Sequence, residues 1–224
     1  MKKITLLLLF LVAQLSLEAQ TFQTSISYGY SNPFGALSSF STRQNNYRNE
    51  GFVQDIGLTL SSEASRLSSE IRIRLGLYSF NQQALLNDLR ELYPGNSDPF
   101  IGFGAWTDVH LLVGGRYSLV KNEGFTLDLC ALLGSTYSQS PPLNIQYFSV
   151  TFPLEFAISS ESNLGLTGLL GLEAALNFSE AVQFIIRLDN LGSLYFPVSE
   201  DLGPFRPYET ASAINLSGGL AWNF

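Results

Sequence analysis

Charged side chains occupy every second position in one stretch of this sequence. Glu70, Arg72 and Arg74 alternate with Ile71 and Ile73. Because successive side chains of a β-strand point to opposite faces, this spacing predicts a strand with one charged and one apolar face. Charges that are enclosed away from water are costly unless opposite charges pair with them. The spacing therefore predicts that these residues join a network of ion pairs.

Further charged residues stand at equivalent alternating positions elsewhere in the chain. The candidate network comprises Glu70, Arg72, Arg74, Asp108, Arg116, Asp128, Glu155 and Glu173. Acidic and basic groups on neighbouring strands would neutralise one another, so we expect the network to fill the space that the strands enclose. A narrow polar passage lined by the same residues is the alternative.

The elements that must position these charges are β-strands, because alternation continues over most of the chain. Alternating segments run over 22–30, 52–60, 67–78, 108–119, 125–134, 148–158, 164–178 and 214–224, with a further one at 181–190. The polar positions are mostly Gly, Ser, Ala and Asn, which suit a narrow lumen, whereas the apolar positions are mostly Leu, Ile, Val and Phe. Charged residues make up only 14% of the chain, against about 25% in ordinary globular proteins.

These features predict an all-β fold, a closed antiparallel up-and-down transmembrane β-barrel. In lipid every backbone N–H and C=O must be paired internally, so a membrane-spanning sheet must close on itself. Single-chain barrels have even strand numbers, and we favour eight strands, with 181–190 as part of an extended outer loop. Ten strands are the alternative, which the turn-like residues 177–180 favour.

The connections differ in length. Short polar turns are expected at 61–65, 121–124 and 159–163, and long connections at 31–50, 80–105 and 192–210. Residues 84–92 in the second long connection predict a short helix, either as a cap on the barrel mouth or as a partner-binding element.

Residues 1–19 predict a signal peptide. Lys2 and Lys3 precede an apolar stretch at 4–13, and Ala19 offers a small residue at the cleavage position. The apolar stretch is too short for a membrane-spanning helix, which needs about 20 residues. We therefore expect residues 20–224 to form the barrel domain of an exported protein.

The end of the chain carries a further pattern. Leu220, Trp222 and Phe224 alternate with small or polar residues up to an aromatic C-terminal residue. With the hairpin-like residues Gly171-Leu172-Glu173, Phe178-Ser179-Glu180 and Arg187, the chain resembles the small outer-membrane β-barrel proteins of the OmpA-like transmembrane and PorT-like type. The resemblance implies location in the cell outer membrane, contact with its lipid, and recognition of the three C-terminal residues by the outer-membrane assembly machinery.

Several functional classes are disfavoured. The net charge of −7 argues against nucleic acid as a partner, and a single His110 and a single Cys130 cannot form a multi-histidine or cysteine-based metal site. Some small membrane barrels deacylate lipids with a histidine and a serine two positions later, but here Leu112 follows His110 at that distance. We expect no catalytic residues and no cofactor.

Three functional hypotheses follow. The favoured one is a structural or interaction protein with a salt-bridged, mostly plugged lumen and an unknown protein partner at its outer loops. The second is a narrow pore or the barrel subunit of a secretion complex. The third is a membrane-embedded lipid-modifying enzyme.

Overall fold

The computed structural model describes residues 20–34, 48–62, 65–92, 99–147, 154–160, 162–197 and 209–224. The predicted signal peptide at 1–19 lies outside them. From the N-terminus, the elements are β1 (Gln20–Phe34), β2 (Arg48–Ser62), β3 (Leu67–Phe80), α1 (Gln82–Leu92), β4 (Phe100–Phe103), β5 (Trp106–Lys121), β6 (Phe125–Gln139), β7 (Leu143–Tyr147), β8 (Leu154–Ile158), β9 (Ser162–Asn177), β10 (Val182–Pro197) and β11 (Glu209–Asn223).

Eight long strands close into an antiparallel barrel in the order β1-β11-β10-β9-β6-β5-β3-β2. The first and last strands complete the cylinder, with Ser27 opposite Gly219. The Phe224 N–H donates to the Phe22 carbonyl at 2.8 Å at the end of the seam. Every barrel strand is thereby paired on both sides, and the predicted eight-stranded up-and-down barrel is confirmed.

Two segments differ from their predicted positions, one predicted outside the barrel and one predicted within it. Residues 181–190, expected in an outer loop, belong to barrel strand β10, and the short connection at 178–181 joins it to β9. The expected barrel strand at 148–158 is wrong, because its described part is β8 of a separate small sheet. Alternation alone cannot separate the two cases, since strands of either sheet can show the same period-two pattern in sequence. The ten-stranded alternative is wrong as well.

The connections divide the barrel into two ends. The links β2–β3, β5–β6 and β9–β10 are short and lie at one end, and the longer connections lie at the other. The predicted short turn at 159–163 is at the long-loop end, where it joins β8 to β9, and is corrected accordingly. Membrane barrels have short periplasmic turns and long outer loops, so we name the long-loop end the outer end.

A small cap covers part of the outer end. Strands β4, β7 and β8 form a three-stranded antiparallel sheet, and α1 lies where the sequence predicts a helix. One face of the sheet and one side of α1 enclose an apolar core with residues from the barrel rim. This core consists of Tyr78, Phe80, Leu85, Ile101, Trp106, Leu143 and Ile145, with Leu86 and Leu89 packed against it. The arrangement matches the cap that was one of the two roles expected for the helix.

The barrel has the reverse polarity of a water-soluble domain. Bulky apolar side chains cover its outside, with Phe52 73% and Leu133 71% exposed, whereas Arg74 and Asn215 inside are fully buried. None of the helices in the described part of the chain has the length and apolarity to cross a membrane. The Leu, Ile and Phe side chains of the barrel strands lie on the outside of the barrel, as their alternation in the sequence predicts.

Candidate functional site: the charged barrel interior

Arg74 on β3 lies at the centre of the interior and joins two carboxylates. Its Nε and Nη2 donate to the two oxygens of Asp55 at 2.6 and 2.8 Å. Its Nη1 and Nη2 donate to the two oxygens of Asp189 at 2.7 and 2.8 Å. Asp55 is its register partner on β2, but Asp189 belongs to β10, which is not a neighbour of β3. One guanidinium therefore bridges the lumen with bidentate contacts at both ends, the strongest geometry for such pairs.

Arg72 fills the next layer of the interior. Its Nε donates to Glu70 at 2.8 Å, and its Nη1 lies 3.9 Å from Asp55 and 3.8 Å from Asp189. Asn215 on β11 donates to Asp189 at 2.7 Å. The same carboxylates thus serve both arginines.

Glu173 on β9 is the centre of the layer toward the short turns. It accepts hydrogen bonds from Arg116 on β5 and from Arg187, its register partner on β10. Arg116 also lies 3.1 Å from Asp128. Arg187 extends past β11 and donates to Ser25 and Ser27 of β1 at 2.9 Å each.

Arg48 closes the interior at the outer end. Its Nη1 donates to Asp108 at 2.6 Å and its Nη2 to Ser138 at 3.0 Å. The guanidinium carbon lies 5.0 Å from the Tyr78 ring and 4.7 Å from the Trp106 ring, which is within cation–π range. These contacts of Arg48 connect the start of β2 to β3, β5 and β6 across the barrel mouth.

Most of the predicted network residues come together in the interior. Glu70, Arg72, Arg74, Arg116, Asp128 and Glu173 form one connected set, and Asp108 pairs with Arg48 near the mouth.

Glu155 is the exception and is corrected here. It lies in β8 of the cap, where its side chain is exposed. Asn144 and Gln146 donate to its Oε1 at 3.1 and 3.0 Å, and these hydrogen bonds lower the pKa of Glu155. The prediction for Glu155 failed because residues 148–158 were expected to form a barrel strand, which would place the polar face of that strand in the lumen.

The described interior also holds charged residues that are absent from the predicted network: Arg48, Asp55, Arg187 and Asp189. Asp55 stands on the polar face of an alternating segment, and Arg187 and Asp189 stand on the polar face of 181–190, so period two would have found them. Arg48 falls within a connection read as irregular, and no sequence signal gave its contact with Asp108.

The remaining interior is divided between apolar packing and cavities. Leu112, Leu132, Leu169 and Leu191 form a buried cluster on one side. A polar cavity of about 190 Å³, lined by Gln23, Arg116 and Asp128 among others, opens toward the short turns. A cavity of only about 10 Å³ lies beside Arg48 at the outer end. The arginine layers lie between the two cavities.

The other sequence candidates lie apart from this chemistry. His110 is fully buried inside the barrel, with its Nε2 4.0 Å from Asp108. The described residues contain no group of side chains suited to hold a metal ion. Leu220 on β11 and Phe224 directly after β11 are exposed on the outer surface, and Trp222 on the same face is partly exposed.

Fold and site together define a closed eight-stranded barrel with an apolar exterior and a charged, ion-paired interior. A major outer membrane protein from Thermus thermophilus is similar in structure, with a TM-score of 0.52 and 11% identity over 92% of this chain and 100% of that one. The attachment invasion locus protein Ail of Yersinia pestis gives a TM-score of 0.46 and 14% identity over 91% of this chain and 99% of that chain. No protein-family model and no curated protein matches the sequence. At these identities the likeness concerns the fold alone.

Removing the charge of Glu173 should destabilise the barrel. Glu173→Gln leaves Arg116 and Arg187 buried with less compensation, and loss of one partner of a buried ion pair costs about 3–5 kcal/mol. Urea-induced unfolding in detergent micelles, followed by tryptophan fluorescence, should show the loss. Glu155→Gln is the matched control and should leave the unfolding midpoint unchanged, because Glu155 is exposed. Equal effects of the two substitutions would contradict the assignment.

Gly57 provides the space that the network needs. A Cβ at Gly57 would lie 2.6 Å from Ser25 Oγ, which accepts from Arg187, and 3.5 Å from Glu70. Gly57→Ala should therefore displace the Ser25 hydroxyl from Arg187 and cost about 1–3 kcal/mol, as overpacking does. Gly192→Ala is the control, because a Cβ there meets nothing within 4 Å. The prediction fails if the same urea titration ranks Gly192→Ala as the more harmful change.

Proposed function

We propose that this chain is an integral protein of the bacterial outer membrane, with a structural or interaction role and a lumen closed by ion pairs. This proposal rests on the polarity of the barrel, which is the reverse of that of a water-soluble domain: exposed Leu, Ile and Phe lie outside and arginine–carboxylate pairs lie inside. In water such an exterior would be an aggregation-prone surface. In a bilayer it contacts hydrocarbon, and each barrel strand exceeds the 9–11 residues that a tilted strand needs to span it.

The dense interior favours a plugged barrel over a pore. Arg74 contacts carboxylates on both sides of the lumen, and ions would have to displace these pairs to pass. A narrow pore or a secretion-complex subunit is the second candidate, supported by the polar cavity at the short-turn end.

We propose no enzymatic role for His110, because it lies inside the barrel whereas a lipid substrate would meet the outer surface.

The route to the membrane and the family likeness remain part of the proposal. Residues 1–19 would be removed as a signal peptide, and Leu220, Trp222 and Phe224 would be read by the assembly machinery. The OmpA-like and PorT-like resemblance agrees with this route. An interaction partner, if the protein has one, would bind at the outer loops.

The location is tested by membrane fractionation together with heat-modifiability on a gel. The expressed chain should separate with the outer membrane and migrate differently before and after boiling, because a closed barrel resists detergent until heated. Phe224→Ala should reduce the folded outer-membrane fraction, whereas Phe178→Ala, a similarly exposed phenylalanine outside the C-terminal strand, should not. Recovery of the chain in the soluble fraction would refute the proposal.

The closed lumen is tested by single-channel recording in a planar bilayer. The wild-type barrel should give no conductance steps above the protein-free baseline. A charge-balanced variant, Asp55→Ala with Arg72→Ala, Arg74→Ala and Asp189→Ala, removes the central layers and should give small steps, once its gel shift shows that it folds. Wild-type steps as large as those of the variant would favour the narrow pore instead.

A further inference from the structure

The outward face of the cap sheet carries two ordered rows of side chains. In the first, Phe100 of β4 is opposite Gln146 of β7, which is opposite Glu155 of β8. In the second, Gly102, Asn144 and Ala157 lie side by side in the same way. The opposite face is occupied by the apolar core of the cap, so this outward face is the exposed one.

The hydrogen bonds on this face fix its polar groups in place. Glu155 Oε1 accepts from both Asn144 and Gln146. An amide has two donor hydrogens and a carbonyl acceptor, and a carboxylate has two acceptor oxygens. Glu155 Oε2, the second hydrogen of each amide and both amide oxygens take no part in these two hydrogen bonds and are available to a ligand.

The shape of the face complements this polarity. Gly102 and Ala157 on either side of Asn144 make the second row shallow, whereas the Phe100 ring stands at the edge of the first row and is 62% exposed. An aromatic wall next to paired donors and acceptors suits a ligand with an apolar face and a hydroxylated rim. A pyranose sugar has this construction, since its C–H face packs on an aromatic ring and its hydroxyls both donate and accept.

We propose that the outward face formed by Phe100, Gly102, Asn144, Gln146, Glu155 and Ala157 binds a sugar ring of the glycolipid headgroups around the barrel. The inference rests on the proposed outer-membrane location. The sheet is held close to the barrel rim, because only residues 104–105 separate β4 from β5 and residues 140–142 separate β6 from β7. The face therefore stands at the height of the first sugars above the lipid.

The experiment uses the full mature chain in phosphatidylcholine nanodiscs. The probe is the core oligosaccharide released from lipopolysaccharide, which lacks acyl chains. Titration should shift the NMR signals of the Asn144 and Gln146 side-chain amides to saturation. Phe100→Ala and Glu155→Gln should each weaken binding about tenfold, as expected when one aromatic contact or one charge-assisted hydrogen bond is lost.

Phe103→Ala is the matched control. Phe103 is 45% exposed on the same strand, but it packs against the Phe80 ring at 5.2 Å on the opposite side, so its loss should leave sugar affinity unchanged. Absence of saturable shifts, equal loss in the Phe103 variant, or the same shifts with calcium or choline alone would overturn the inference. A chain that enters nanodiscs but ignores the sugar leaves the proposed function intact, whereas failure to insert counts against the proposed function itself.

Discussion

Neutralisation of buried charge is the constraint on which the rest of this structure depends. Eight strands enclose a lumen that is only wide enough for side chains, and here arginines fill it. Each guanidinium must find carboxylates inside, because an unpaired buried charge is too costly. Most apolar side chains of the barrel strands face outward, and the buried leucine cluster lies on one side of the interior only. Ion pairs and the hydrogen bonds of their arginines therefore supply most of the contacts described above between strands across the barrel.

These pairs connect strands that the hydrogen-bonded ladder does not. Arg74 links β3 to β10, and Arg187 links β10 to β1 by passing over β11. Such bridges need small residues beneath them, and Ser25, Ser27 and Gly57 supply that space on β1 and β2. The small residues on the polar faces of the strands thus leave the room that the long arginine side chains occupy.

The strand number of eight rested on the even strand count of single-chain barrels, because nine segments of the sequence alternate. Period-two alternation was enough to predict the class of fold and most of the charged interior. It failed where two segments had similar local patterns. The outward face of β10 is interrupted by Asn190 and Gly192, which weakens its apolar signal, whereas the segment around β8 alternates well in sequence although β8 belongs to the small sheet. Glu155 was misplaced with its segment, and Arg187 and Asp189 were lost with theirs. The contact between Arg48 and Asp108 joins residues 60 positions apart, and neither local pattern nor composition encodes such a pairing.

The two ends of the barrel differ in how tightly their interiors are packed. At the short-turn end the interior opens into a polar cavity, whereas at the outer end Arg48 is held between Tyr78 and Trp106 under the cap core. Because Tyr78 and Trp106 belong to both the closure and the cap core, the cap and the barrel mouth form one packed unit. A ligand on the cap therefore meets a surface anchored on the rigid barrel, and little ordering entropy opposes binding there. The packed outer end and the outer sheet that is anchored on it are consistent with the proposed recognition at the surface rather than passage through the lumen.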